Sequence, residues 1–330
     1  MRLARWRHGE TVAEGLVLDG RVVAFPDGRT MREVLEAGLA DALARYRDVT
    51  RHDTAPELTE VRLLAPLRPP SIRDFVAFEE HVEGVTASID GASQVVPEWY
   101  EYPTFYFTNP HSVIATGDIV APPATERLDF ELEVGAVIGG VQRSDGTNLT
   151  PAAAAEHIFG YVIFNDWSAR DVQGREMKVR LGPCKGKDFA TTLGPWIVTA
   201  DEFAQLIDGE GFLPIGMQVE VNGTEIGRDL LSNMGWPFPE LVAYASRNSR
   251  VVPGDVLGSG TAGNGGCLAE LWGRRGELSP PPLSQGDEVV MRVEGIGEIR
   301  NRVGGAVPVP DIPRARQRPR NRARETVEVR

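Results

Sequence analysis

Residues 128–134, Leu-Asp-Phe-Glu-Leu-Glu-Val, alternate apolar and acidic side chains without a break. A period of two belongs to a β-strand, with Phe130, Leu132 and Val134 on one face and Asp129, Glu131 and Glu133 on the other. Same-face neighbours on a strand stand roughly 6–7 Å apart, so two of these carboxylates can share one cation. Without a counter-charge the row repels itself and raises its own pKa values. A solvated acidic face fits the same pattern. The continuation over residues 134–139, Val-Gly-Ala-Val-Ile-Gly, is apolar on both faces and reads as buried. A carboxylate row running into a buried strand favours a metal site.

The chain has 330 residues, longer than one typical domain. Its two cysteines, Cys184 and Cys267, form no disulfide framework and lack the CxxC spacing of a zinc site. No apolar run approaches a membrane span, and the N-terminus lacks the apolar core of a secretion signal. A cytoplasmic location is expected. The net charge of −12 is uneven, because residues 311–330 hold seven arginines against Asp311, Glu325 and Glu328. An acidic body repels nucleic acid and suits small-molecule partners and a cation. The basic tail reads as a solvated, disordered extension.

Three parts are expected: a small α/β unit over residues 1–68, a catalytic domain over 69–310, and the tail over 311–330. In the first, short strands fill residues 2–25 with breaks at Gly15 and Asp19-Gly20. A helix follows over 30–46 with Thr30 as N-cap, then a strand over 59–67. After Arg68-Pro69-Pro70 the chain is Gly/Pro-punctuated and strand-rich, without the βα alternation of a doubly wound fold. Strands are expected over 104–108, 119–121, 134–138, 161–164, 196–199, 217–221 and 289–293. Asn222-Gly223 marks a hairpin turn. Helices are expected over 75–85, 150–159, 201–207 and 239–246. The fold class is α+β and β-rich.

Several segments carry chemistry. Asp74 is placed to cap the helix that follows, and His81 lies two helical turns further on. The apolar run 160–164 stops at Asn165-Asp166, which puts a carboxylate at the rim of a core. Arg170 can neutralise Asp171. Residues 186–192, Gly-Lys-Asp-Phe-Ala-Thr-Thr, lack P-loop spacing. Gly258, Gly260 and Gly263 match GxGxxG, but no long helix is expected after them, so they read as a tight loop.

Taken together, six segments in one order resemble the fumarylacetoacetate hydrolase family over most of residues 71–303: DFVAFEEH (74–81), DFELEVG (129–135), FNDWSARDVQ (164–173), GKDFATTLGPW (186–196), GTAG with a following ELW (260–272) and VEGIGEIRNRV (293–303). The resemblance implies a mixed β-roll or β-sandwich of that family's C-terminal domain type, a homodimer, and a divalent cation. It implies Asp74, Glu131, Glu133 and Asp166 as metal ligands, with His81 as general base, Glu270 orienting it, and Lys187 beside metal and substrate. Gln173, Thr191, Thr261 and Arg170 are expected to touch the substrate. Val76 and Met177 stand where the mammalian fumarylacetoacetate enzymes place substrate-binding tyrosines, Asp90 where an ungapped alignment needs a substrate arginine, and Gly84 where acylpyruvate hydrolases carry a Glu.

All-carboxylate ligation suits a hard ion, Mg²⁺ first, with Mn²⁺ or Ca²⁺ as alternatives. The expected reaction is hydrolysis of a carbon–carbon bond in a β-diketo acid or acylpyruvate. Decarboxylation, isomerisation or dehydration of a 2-oxo acid or sugar acid is the alternative on the same site. A cation-dependent binding module would need only the acidic ligands, not His81, Glu270 and Lys187.

Overall fold

The computed structural model describes residues 1–50, 54–90 and 95–318. The chain opens with strands β1 (Arg2–His8), β2 (Thr11–Leu18) and β3 (Arg21–Ala24). The expected break at Gly15 is not there. Gly15 lies inside β2, where a Cβ would stand 2.0 Å from the Val23 carbonyl oxygen, so the missing side chain serves close strand approach. Thr30 and Glu33 form a complete capping box for α1 (Met31–Ala37). The expected single helix divides at Gly38, φ 88°, and resumes as α2 (Leu39–Tyr46). A short β4 (Arg62–Leu64) follows.

The body continues through β5 (Ile72–Phe75), α3 (Glu79–Asp90), β6 (Phe105–Thr108), β7 (Val113–Ile114), β8 (Ile119–Val120), β9 (Leu128–Asp129) and β10 (Leu132–Ile138). Next come α4 (Pro151–Glu156), β11 (Ile158–Asp166), β12 (Ser168–Ala169), α5 (Arg170–Met177) and β13 (Thr191–Thr199). The hairpin β14 (Gly216–Val221) and β15 (Thr224–Leu230) turns at Asn222-Gly223, both with positive φ, as the sequence implies. It is followed by α6 (Phe238–Ser246), β16 (Val256–Gly258), α7 (Leu268–Arg275), β17 (Glu288–Val293) and β18 (Gly297–Val303).

Eleven strands form one mixed sheet along the path β3-β2-β1-β13-β11-β10-β16-β5-β6, with β4 and β7 attached beside it. A second sheet runs β15-β14-β17-β18-β8. The N-terminal strands are hydrogen-bonded into the large sheet through β1 and β13, so the boundary expected at Arg68 does not interrupt it. One face of this sheet packs Ile72, Val137, Phe159, Val162, Phe164 and Val256 against Met31, Val34 and Leu35 of α1. The opposite face packs Val134, Ala136, Ile163 and Leu257 against α6, α7 and the second sheet. Among the described residues no helix is long and apolar enough to cross a membrane.

Three further helix expectations change. Residues 75–85 are not one helix: 72–75 are a strand, paired with β16 and β6, and helix begins only at Glu79. Residues 150–159 leave the helix after Glu156 and enter β11, while 201–207 give only a 3₁₀ turn, Ala200–Phe203. In the other direction, α5 and α7 form where no helix was expected. Residues 311–318 of the basic tail have no helix or strand, and 319–330 lie outside the described residues.

Candidate metal and catalytic centre

Three strands deliver carboxylates to one face. On β5, Ile72 and Asp74 share a side, and Ile72 belongs to the core beneath α1. On β10, Glu133 shares a side with Val137 of that core, and on β11 Asp166 shares one with Phe164. The sheet order β11-β10-β16-β5 sets a strand between the Glu133 and Asp74 strands. That strand carries Gly258, paired with both Gly135 and Asp74. A Cβ on Gly258 would stand 2.6 Å from Asp74 Oδ1 and 2.8 Å from Glu133 Oε2. Its bare backbone therefore lets two carboxylates meet across an intervening strand. Asp74 is thus a strand residue aimed into the site, not a helix cap.

Glu131 reaches the cluster from the break between β9 and β10, held by its backbone N–H donating to Asn165 Oδ1 at 3.0 Å. Carboxylate oxygens of Asp74, Glu131 and Asp166 lie within 4.8 Å of one another, all buried. Glu133 adjoins Asp74 across Gly258, and each carboxylate acts on the other's ionisation. Lys187 donates to Glu131 Oε2 at 2.5 Å and to Asp166 Oδ2 at 2.7 Å. Tyr106 on β6, opposite Asp74 in register, donates its hydroxyl to Asp166.

The balance of charge divides the cluster in two. Burial opposes ionisation of Glu131, but Lys187 and Arg170 pull its pKa below the usual carboxylate range. Burial, and then neighbouring carboxylates, push Asp74 and Glu133 well above it. Burial also raises Asp166, with Lys187 opposing. Among the described residues, Asp74 Oδ1, Glu133 Oε1 and Asp166 Oδ1 are buried without a hydrogen-bond partner. Orphaned buried carboxylate oxygens are costly. A divalent cation held by Asp74, Glu131 and Asp166 would offset that cost and supply the missing charge, so these three fit a hard metal ion, with Glu133 beside Asp74 but outside their close group.

His81 is buried on α3, and burial pulls its pKa down to about 4, so the imidazole is neutral near pH 7. Its Nδ1 stands 3.6 Å from Cys267 Sγ. The expected orienting role of Glu270 is not what the geometry gives. Glu270 Oε1 ion-pairs with Arg274 at 2.8 Å, and Oε2 accepts from Gly265 N at 3.3 Å. The reason is α7 itself: Cys267 is its N-cap residue, so the helix start faces His81 while Glu270 packs against Gly84. Burial raises Glu270 to about 7.

Arg170 was expected at the substrate and is committed elsewhere. It bonds Asp129 Oδ2 at 2.9 Å, Glu131 Oε1 at 2.8 Å and Gln173 Oε1 at 3.2 Å, not Asp171. Gln173 is thereby turned towards Arg170. Thr191 starts β13 opposite Asp166, its buried hydroxyl without a partner among the described residues. Thr261 is buried beside Gly260, whose N–H donates to Glu133 Oε2 at 3.1 Å. Tyr106, Asn165, Gly258 and Cys267 were missed as site residues. Of these Asn165, adjoining Asp166, carried a sequence signal, and Gly258, read as part of a tight loop, instead ends β16.

The family model described as fumarylacetoacetate (FAA) hydrolase C-terminal matches residues 71–304. The chain belongs to the fumarylacetoacetate hydrolase family. It is a fumarylacetoacetase-like enzyme with the family's β-rich α+β fold. Fumarylacetoacetase of Arabidopsis thaliana is 29% identical over 295 residues, 76% of this chain and 69% of that protein. The oxaloacetate tautomerase YisK of Bacillus subtilis is 29% identical over 251 residues, 75% of this chain and 74% of its own. The fumarylacetoacetate hydrolase of psychrophilic Exiguobacterium antarcticum superposes with a TM-score of 0.65 at 26% identity, over 92% of this chain and 99% of that one.

Proposed function

We propose that this member of the family hydrolyses a carbon–carbon bond in a β-diketo acid or acylpyruvate-like substrate. Asp74, Glu131, Glu133 and Asp166 would hold the divalent cation, Mg²⁺ first among the hard ions that all-oxygen ligation suits. The observation that carries this reading is a buried carboxylate cluster with unpaired oxygens, adjoined by a neutral His81 and a cationic Lys187. When bound, the cation supplies Lewis acidity that polarises a substrate carbonyl. His81 takes a proton from water as that water's oxygen bonds to the acyl carbon. The carbon–carbon bond then breaks, and its electron pair passes to the departing enolate. The enolate carbon recovers the proton, leaving a ketone and a carboxylic acid. The Lys187 ammonium donates to the enolate oxygen as charge builds there. Gln173, Thr191 and Thr261 line the substrate side, and Tyr106 holds Asp166 in place.

Assay of acylpyruvates with and without Mg²⁺, Mn²⁺ or Ca²⁺ tests this. Cation-dependent release of pyruvate and a carboxylic acid is expected, reduced about 10²–10⁴-fold in His81→Ala. The separation of Glu270 from His81 favours one second reading, keto–enol tautomerisation or isomerisation of a 2-oxo acid, which needs no activated water. Interconversion of isomers without cleavage would select it and reject hydrolysis.

A further inference from the structure

The loop that delivers Lys187 is built around the carboxylate of Glu176. Three successive backbone N–H groups, of Cys184, Lys185 and Gly186, donate to it at 2.8, 2.7 and 3.1 Å. Consecutive amides converging on one anion form a nest, and Lys187 is the next residue in the chain. Glu176 stands in the last turn of α5, where the helix dipole disfavours a carboxylate. The three donors offset that penalty and turn the side chain off the helix onto the loop.

The rest of the turn is equally tight. Lys187 N and Asp188 N both donate to Cys184 O at 3.0 Å. Gly186 presses on α5, where a Cβ would stand 2.6 Å from Gln173 N, and its carbonyl accepts from Ala169 N at 2.8 Å. Upstream, Met177, Val179 and Leu181 are exposed, so that stretch packs little against the body. The Lys185 side chain turns to Asp188 at 2.6 Å and leaves the Glu176 carboxylate to the backbone.

We propose that Glu176 is a positioning residue, fixing the nest so that Lys187 lands on Glu131 and Asp166. This rests on the site reading above. Glu176→Ala, Glu176→Gln, Lys187→Met and the double variant Glu176→Ala/Lys187→Met test it in the full chain. In Glu176→Ala the amides of residues 184–187 should exchange with deuterium at least about tenfold faster, while β10 and β11 keep their protection. Lys187 competes with a cation for the Glu131 and Asp166 oxygens. Mg²⁺ affinity, read by calorimetry, should therefore rise in Glu176→Ala as it does in Lys187→Met, with no further rise in the double variant. Glu176→Gln, which keeps one acceptor oxygen, should fall between. Turnover should drop by up to about 10²-fold in Glu176→Ala and not at all when the change is made on Lys187→Met. Unchanged exchange at 184–187, or effects of the two single changes that multiply in the double variant, would overturn the role. A parent protein that hydrolyses no substrate would reject the functional reading instead, and the exchange and Mg²⁺ data would still decide the case of Glu176.

Discussion

His81 is the residue whose chemistry depends most on its surroundings. Burial strips water from the charged imidazolium and lowers its pKa from 6.5 to about 4. Cys267, raised by its own burial, stays a thiol beside it. A neutral ring is available as a base throughout the neutral range, but it carries a stability penalty in acid. Between pH 6.5 and 4 the unfolded chain binds a proton at this site that the folded chain refuses. Stability therefore falls as pH falls through that window, levelling below about 4, by at most about 3 kcal/mol. His81→Gln removes the titration, so its stability relative to the parent should improve from pH 7.5 to pH 5 in urea unfolding. Parallel behaviour of the two proteins over that range would show that His81 protonates normally in the fold.

At the scale of elements, the acidic alternation of residues 128–134 hides two jobs. β9 ends at Asp129 and β10 starts at Leu132, so the strand breaks where the sequence shows none. Asp129 turns away from the cluster, accepting from Leu268 N and Ala269 N at 2.8 and 3.0 Å at the start of α7 and pairing Arg170 at 2.8 Å. It ties the helix carrying Cys267 and Glu270 to the arginine that steadies Glu131. Asp129→Ala strands Arg170 and two helix N–H groups, and should destabilise the fold by about 3–5 kcal/mol. Thr30→Ala, which removes only the α1 cap, should cost about 1 kcal/mol. Equal midpoint shifts for the two in urea would deny Asp129 this role. The same elements set how far the sequence could be read. Glu133, Asp166 and the hairpin at Asn222 were legible because strand alternation and turn chemistry are local. Asp74 looked like a cap because its strand status comes from β16 and β6, one of them about 180 residues away in the chain. Tyr106 and Cys267 were invisible, and Gly258 read only as a loop glycine, for the same reason: each matters only through a neighbour that sheet order or helix entry brings beside it.

For the molecule as a whole, the site is both a functional centre and a fault line in stability. The large sheet runs unbroken from β3 to β6, and the face that ends in Asp74, Glu133 and Asp166 is the one that packs on α1. Without a cation, Asp74 and Glu133 are held well above the ordinary carboxylate range, chiefly by burial. In that state the folded chain keeps protons that the unfolded chain has lost. The contribution of these two groups to stability is therefore greatest at the ordinary carboxylate pKa and below, and declines as pH rises through the raised values. A bound cation reverses the sign, because it takes the place of those protons and binds more tightly as they leave. Chelated and Mg²⁺-loaded protein should accordingly melt close together near pH 5 and diverge as pH increases. At a free Mg²⁺ concentration one hundred times Kd the loaded form should gain about 2.7 kcal/mol. Glu133→Gln removes one of the two trapped protons, so it should flatten the alkaline decline of the chelated protein and shrink the Mg²⁺-dependent gap at pH 8. Melting curves at pH 5, 6.5 and 8 with chelator or Mg²⁺ measure all of this, and a gap that stays constant with pH would mean that no proton leaves these carboxylates when the cation binds.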